Sequence, residues 1–158
     1  MRFLIAGFIA FLGWGLLTVH LYVCKIRGFC NEPESISPVL PAQLVNPGTL
    51  SIYFDFDRSD FIPDDMTDRY IVLSNAFLDQ NTLSGIIITG HTDAVGTDEY
   101  NKALGYRRAE SIQHYFTGKG IPSNRIIIES KGEQDSVDNN ITETGRANNR
   151  RTVTTIKK

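Results

Sequence analysis

From Thr49 onward, hydrophobic and polar residues alternate with short, regular periods, and each period predicts an element. "LSIYFDF" (50–56) reads as a strand. "IPDDMTDRYIVLSNAFLDQ" (62–80) opens with Pro63 and acidic residues, then sets Tyr70, Leu73 and Phe77 on one face, which predicts a helix. "GIIITG" (85–90) is a short apolar run closed by glycine, as in a buried strand. Thr97 suits an N-cap, Asp98 and Glu99 complement a first helical turn, and the helical pattern runs to a Gly118/Gly120 stop. "NRIIIES" (124–130) predicts a third strand, "TETGRANNR" (142–150) a short helix or turn, and "RTVTTIK" (151–157) a final strand. This alternation over about 110 residues predicts an α/β class (an α+β sandwich) of βαβαβ type, a small mixed β-sheet with helices packed on one face. The stretch is too short and too helical to contain a membrane barrel.

The first residues follow a different pattern. "FLIAGFIAFLGWGLLTVHLYV", from Phe3 to Val23, carries no Asp, Glu, Lys or Arg. As a helix rising 1.5 Å per residue it would span ~30 Å, one bilayer core. Tyr22 stands where an interfacial aromatic would. The run is longer than the core of a signal peptide, and no small-x-small cleavage site follows it. An uncleaved transmembrane anchor over residues 1–24 is therefore expected, in preference to a cleaved signal. Arg2 lies on one side of it and Lys25 and Arg27 on the other, so flanking charge does not orient it. Residues 25–48 form a juxtamembrane segment and a linker holding four of the chain's six prolines, with 49–158 as the folded domain.

Composition adds little. The chain has 158 residues, and 16 basic against 18 acidic side chains leave no charge excess that argues for nucleic acid. Cys24 and Cys30 are the only cysteines. They could close a small disulfide loop in an oxidising compartment or stay free thiols in a reducing one.

One residue breaks the helical pattern. The row Tyr100, Leu104, Arg108, Ile112, Phe116 suits a core except for its arginine. Burying an unpaired guanidinium costs several kcal/mol, so Arg108 needs a partner. Asp93, just past the strand "GIIITG", is the nearest candidate, at the strand end where open α/β sheets place ligands. Two readings stay open. Arg108 either pairs with Asp93 or reaches solvent past Tyr115; alternatively, both charges face a zwitterionic ligand, guanidinium to carboxylate and carboxylate to ammonium.

Several motifs occur together and in order: "YFDFDRSD", "GHTDAVG", "YNKALGYRRA", "KGIPSNRI", "KGE" and "GRANNRR". By these the chain from about Leu50 to Lys158 resembles the OmpA-like, peptidoglycan-associating C-terminal domain. The resemblance implies non-covalent binding of the peptidoglycan stem peptide through its diaminopimelate residue, without cofactor or metal. On matching positions it implies that Asp93 takes the ligand's ammonium and Arg108 its carboxylate. Thr92 and Asn101 would add hydrogen bonds, and Asp57 with Phe56 would wall the pocket. Arg146 and Arg150 are weaker assignments, which structural pairing near the last turn would equally explain. The chain departs from the family's pattern at Gly105, where serine is usual, at Ser130, where glycine is common, and at Ser136, where proline is common. Gly105 weakens a helix by up to about 1 kcal/mol, and the other two are expected to reshape loops.

Other classes fit less well. His20 belongs to the predicted anchor, leaving His91 and His114, and no HExxH, CxxC or Gly-rich phosphate loop is present, so an enzyme is not expected. A stator-like component of an ion-driven complex would need an ionisable residue within the span, and none is there. A structural envelope protein without wall affinity is the remaining alternative. Peptidoglycan as partner implies a domain facing the periplasm on a membrane anchor. The uncleaved helix favours the inner membrane, whereas the family's usual association is the outer one.

Overall fold

Strand and helix alternate from Thr49 to Lys157 in the computed structural model, which describes residues 45–157 together with Val19 and Tyr22. The chain divides into two units, Met1–Ala42 and Gln43–Lys158. Apart from Val19 and Tyr22, the predicted anchor over residues 1–24 lies outside the described residues, as do Cys24, Cys30 and most of the proline-rich linker. Among the described residues, no helix is long and apolar enough to cross a membrane.

The second unit runs β1 (Thr49–Tyr53), α1 (Asp65–Gln80), β2 (Gly85–His91), α2 (Asp98–Gly118), a 3-10 turn (Ser123–Arg125), β3 (Ile126–Gly132), α3 (Glu143–Asn149) and β4 (Arg151–Lys157). All three helices begin on a side-chain cap that satisfies an otherwise orphaned N–H. Asp64 accepts from Thr67 N at 2.8 Å, Thr97 from Tyr100 N at 3.2 Å, and Thr142 from Gly145 N at 3.0 Å. Because Asp64 is the cap, α1 starts three residues later than the pattern from Ile62 predicts. β1 also ends early, at Tyr53. The chain turns at Asp55–Arg58, where Arg58 N bonds to Asp55 O at 3.2 Å and Asp57 adopts a φ of 56°.

The strands form one mixed sheet in the order β1-β4-β2-β3. β4 is antiparallel to both β1 and β2, while β2 and β3 are parallel. β1, β2 and β3 therefore share a direction, and the carboxyl ends of β1 and β2 flank the amino end of β4. Alternate strand residues, Leu50, Ile86, Ile88, Ile126 and Ile156, point into a core completed by Ile71, Phe77, Leu78, Ala109, Ile112 and Phe116 of the helices. The opposite face, with Ser51, Ile87, Thr89, Glu129 and Thr155, lines an open groove, so the helices cover one face as predicted. Leu73 is not on the buried face of α1. It is 43% exposed and lies at the margin of a stripe formed by Tyr70, Ile71, Ser74, Phe77 and Leu78.

α2 meets β2 backbone to backbone. A Cβ at Gly90 would overlap the carbonyl oxygen of Gly105, and a Cβ at Gly105 would overlap Ser130 Oγ. This close approach fixes the depth at which α2 lies on the sheet, and with it the position of Arg108 one turn further on.

Candidate functional site

At the carboxyl ends of β1 and β2 lies a cleft of about 200 Å³, with room for one amino-acid-sized group. Phe56 and Asp57 wall it from the turn after β1, and Asp93, Val95 and Gly96 from the loop after β2. Tyr100, Leu104 and Arg108 of α2, with Arg150 at the entry to β4, complete it. The predicted residues Asp93, Arg108, Asp57 and Phe56 thus meet in one place, between chain segments that are distant in sequence.

The loop after β2 is built by its own side chains. Asp93 Oδ1 accepts from Val95 N at 3.2 Å, and Gly96 carries a φ of +117° that an L side chain rarely adopts. From outside, Asn140 Oδ1 accepts from Ala94 N at 3.1 Å and from Asn149 Nδ2 at 3.0 Å. Asn149 is wholly buried and also binds the 137–138 backbone. Asp93 is thereby fixed at 3% exposure.

Arg108 does not pair with Asp93, nor does it reach solvent past Tyr115. The side chain is 0% exposed. Its Nε donates to Arg58 O at 2.8 Å, Nη1 to His91 O at 2.8 Å and Nη2 to Asp55 O at 3.2 Å, and its guanidinium lies 5.1 Å from the centre of the Phe54 ring. A guanidinium has five N–H donors, so two remain beyond these three bonds. Burial pushes the Arg108 pKa down to about 10, the charges of Asp93 and Asp57 opposing that fall, and the group stays charged at neutral pH.

Asp93 pairs instead with Arg150, Nη1 to Oδ2 at 3.0 Å, with both side chains buried. Arg150 also donates to Glu143 Oε1 at 2.9 Å and to Phe54 O at 3.3 Å. Burial works against its charge, but the bonds to Asp93 and Glu143 outweigh it and raise its pKa. Asp93 retains acceptor capacity, since a carboxylate offers about four lone-pair directions and only two are in use.

Thr92 and Asn101 do not line the cleft. Both are buried: Thr92 N donates to Gly132 O at 2.9 Å, and Asn101, beside Gly96, donates from Nδ2 to Glu133 Oε2 at 2.7 Å. Neither Thr92 Oγ1 nor Asn101 Oδ1 has a hydrogen-bond partner. Arg146 is likewise outside the cleft. It holds its own turn through Glu143 at 2.8 Å and the carbonyls of Asn140 and Ile141 at 3.0 Å. Arg150 lines the cleft but is engaged by Asp93, Glu143 and the Phe54 carbonyl, the structural pairing that the sequence left open for it, and Tyr100, which the pattern assigns to the core, is 44% exposed at the cleft. The Tyr100 hydroxyl hydrogen-bonds to Asp57 Oδ1, which raises its pKa. That pair ties the turn after β1 to the first turn of α2 across the cleft. The residue's place in the first turn, level with the strand ends, was the available signal. Among the described residues, no group of three or more His, Cys, Asp or Glu could hold a metal ion.

Comparison with known proteins gives consistent findings. A family model described as "OmpA family" matches residues 53–150. Outer membrane protein A of Bordetella avium is 38% identical over 120 residues, 75% of this chain and 58% of that protein. A peptidoglycan-associated lipoprotein of Pasteurella multocida is 32% identical over 106 residues, 65% of this chain and 67% of that protein. Among solved structures, the peptidoglycan-associated lipoprotein from Burkholderia pseudomallei matches with a TM-score of 0.60 and 31% identity, over 68% of this chain and 89% of that one. The mixed four-stranded sheet with its helices is shared with that structure.

Proposed function

The chain belongs to the OmpA family, and from that premise we propose that its second unit binds peptidoglycan without covalent chemistry, gripping the diaminopimelate residue of the stem peptide. The observation that carries this reading is that Asp93 and Arg108, opposite in charge and not paired with each other, line one small cleft. Asp93 keeps lone pairs for an ammonium, and Arg108 keeps two N–H groups for a carboxylate. Asp57 and Phe56 wall the bound group, and Tyr100 closes over it through Asp57. Thr92 and Asn101 act by supporting the loop that presents Asp93.

On this reading residues 1–24 form an uncleaved membrane helix, 25–48 a linker, and 49–158 a periplasmic domain, so that the protein tethers a membrane to the wall. Two relatives bear the names outer membrane protein and peptidoglycan-associated lipoprotein, which supports an envelope location. An uncleaved helix favours the inner membrane; fractionation of the two membranes tests that point. A single grip need not be tight, because the wall repeats its ligand and the anchor confines the domain near it.

Co-sedimentation of the detergent-solubilised chain with purified sacculi tests the function. The unmodified chain is expected to pellet with the wall, and Asp93→Ala and Arg108→Ala to remain in solution. Failure of the unmodified chain to pellet would overturn the function. Equal pelleting of all three would overturn the site.

A further inference from the structure

The face of the sheet that no helix covers ends in a row of charge. Thr152 of β4 pairs with Gly90 of β2, which sets Arg151 level with His91. On β3, Ser130 pairs with Gly90 and Gly132 with His91, so Lys131 is the extra residue of a bulge at the same level. Arg151, His91 and Lys131 together line one end of an open groove of about 520 Å³. We propose that this groove is a docking surface for an acidic peptide segment of a partner protein, whose carboxylates pair with Arg151 and Lys131 and whose apolar side chains cover Ile87, Ile127 and Val153. The groove shares no lining residue with the charged cleft, so the inference stands apart from wall binding.

Charge selects an anionic partner. Arg151 is 5% exposed, yet only main-chain carbonyls hold it, Nη1 donating to Asn149 O at 3.4 Å and Nη2 to Asp135 O at 3.2 Å. A guanidinium has five N–H donors, so three remain for a ligand. Among the described residues, neither Arg151 nor Lys131 forms an ion pair. Burial, helped by these two cations, pushes the His91 pKa down to about 4, so the histidine adds no third charge at neutral pH. The carboxylates of this face, Glu129 one step down β3 and Asp135 on the loop after it, are both exposed. With Lys157 at the far end, three cations face these two acids, and the excess lies at the Arg151 end.

The apolar middle of the groove decides the kind of anion. Ile87 pairs with Ile127 and Thr89 with Val153, which places the three apolar side chains side by side below the charged row. Ile127 is 56% exposed, and Val137 at the rim is 64% exposed. A lipid headgroup would meet the charges and leave these side chains in water. A peptide with carboxylates at one end and apolar residues behind them satisfies both.

The test uses the full-length chain in phosphatidylcholine nanodiscs and two fluorescent peptides. One alternates glutamate with leucine; the other has glutamine in place of each glutamate. Fluorescence anisotropy is expected to show about tenfold tighter binding of the glutamate peptide, the scale of two ion pairs, and added salt should shrink that advantage. Lys131→Gln, a change at an exposed side chain, should remove most of the advantage, as should Arg151→Gln. Ile127→Ser should weaken both peptides. Equal affinity for the two peptides overturns the proposal, and so does an advantage that survives Lys131→Gln. Binding of phosphatidylglycerol vesicles, or self-association of the chain, that Lys131→Gln abolishes would also overturn it, since the face would then belong to lipid or to a second copy.

Discussion

Arg108 and Arg150 line the same cleft, yet the protein holds them by different means. Arg108 is gripped by three main-chain carbonyls, those of Asp55, Arg58 and His91. Arg150 is gripped by the carboxylates of Asp93 and Glu143 and one carbonyl, that of Phe54. Carbonyl dipoles fix a guanidinium's position without cancelling its charge, whereas carboxylates cancel it. The two pKa values move accordingly: burial drives that of Arg108 down to about 10, and the acids raise that of Arg150. An arginine left charged and pre-positioned by neutral groups is suited to an incoming anion, and a neutralised one to holding chain segments together.

Substitution should separate these roles. Removing Arg150 leaves Asp93 buried and unpaired, and breaking a buried ion pair from one side costs about 3–5 kcal/mol. Arg150→Ala is therefore expected to lower the urea midpoint sharply, while the molecules that remain folded still bind sacculi. Loss of binding in step with Arg108→Ala, at unchanged stability, would break the distinction.

Acid should act on the Arg108 side through His91, whose carbonyl belongs to that cradle. Burial, reinforced by the Arg151 cation, pushes the His91 imidazole down to about 4 from an ordinary 6.5. The folded protein then binds the proton less readily than the unfolded chain does. Stability is fully present above pH 6.5 and falls as the pH drops towards 4, by about 3 kcal/mol in total. Urea unfolding at pH 7 and 4.5 measures this. His91→Gln should lose distinctly less on acidification than the unmodified chain, and an identical loss in both would show that His91 is not the source.

Arg108→Lys sharpens the comparison further. An ammonium keeps the charge but cannot span three carbonyls set at guanidinium spacing. We expect about a tenfold loss of stem-peptide affinity, roughly 1.4 kcal/mol, read by calorimetry. Unchanged affinity would mean that charge alone, and not its carbonyl framing, serves the ligand.

The elements were legible in the sequence because periodicity and caps are local. Thr97 and the isoleucine runs announce their roles within a few residues, whereas Asp64, one of the acids read as the start of the helix, is its cap. Asp93 and Arg108 were legible as charges in unusual places. Their partners were not. Arg150 meets Asp93 from 57 positions away, and the groups that hold Arg108 are carbonyls, which every residue owns and no pattern marks. Tyr100 misled because a helical row assumes a sheet beneath all its turns, and the first turn of α2 stands at the sheet's end, beside the cleft.

The departures from the family's pattern at Gly105 and Ser130 touch each other, which linear reading assigned separately to helix and loop. Ser130 lies in β3, not in a loop, and its hydroxyl fills the space that a side chain at position 105 would take. The two positions read as one exchange: serine on the helix and glycine on the strand in the family's pattern, the reverse here. Gly105→Ser alone should therefore cost about 1–2 kcal/mol by overpacking, even though serine is the better helix former. Adding Ser130→Gly should recover most of that loss, with the Gly90 carbonyl oxygen, 3.0 Å from the new Cβ, limiting full recovery. A double-mutant cycle in urea measures the coupling. Simple additivity of the two changes would mean that the sheet yields at this contact, and that Arg108 owes its position to its own three hydrogen bonds rather than to the packing beneath it.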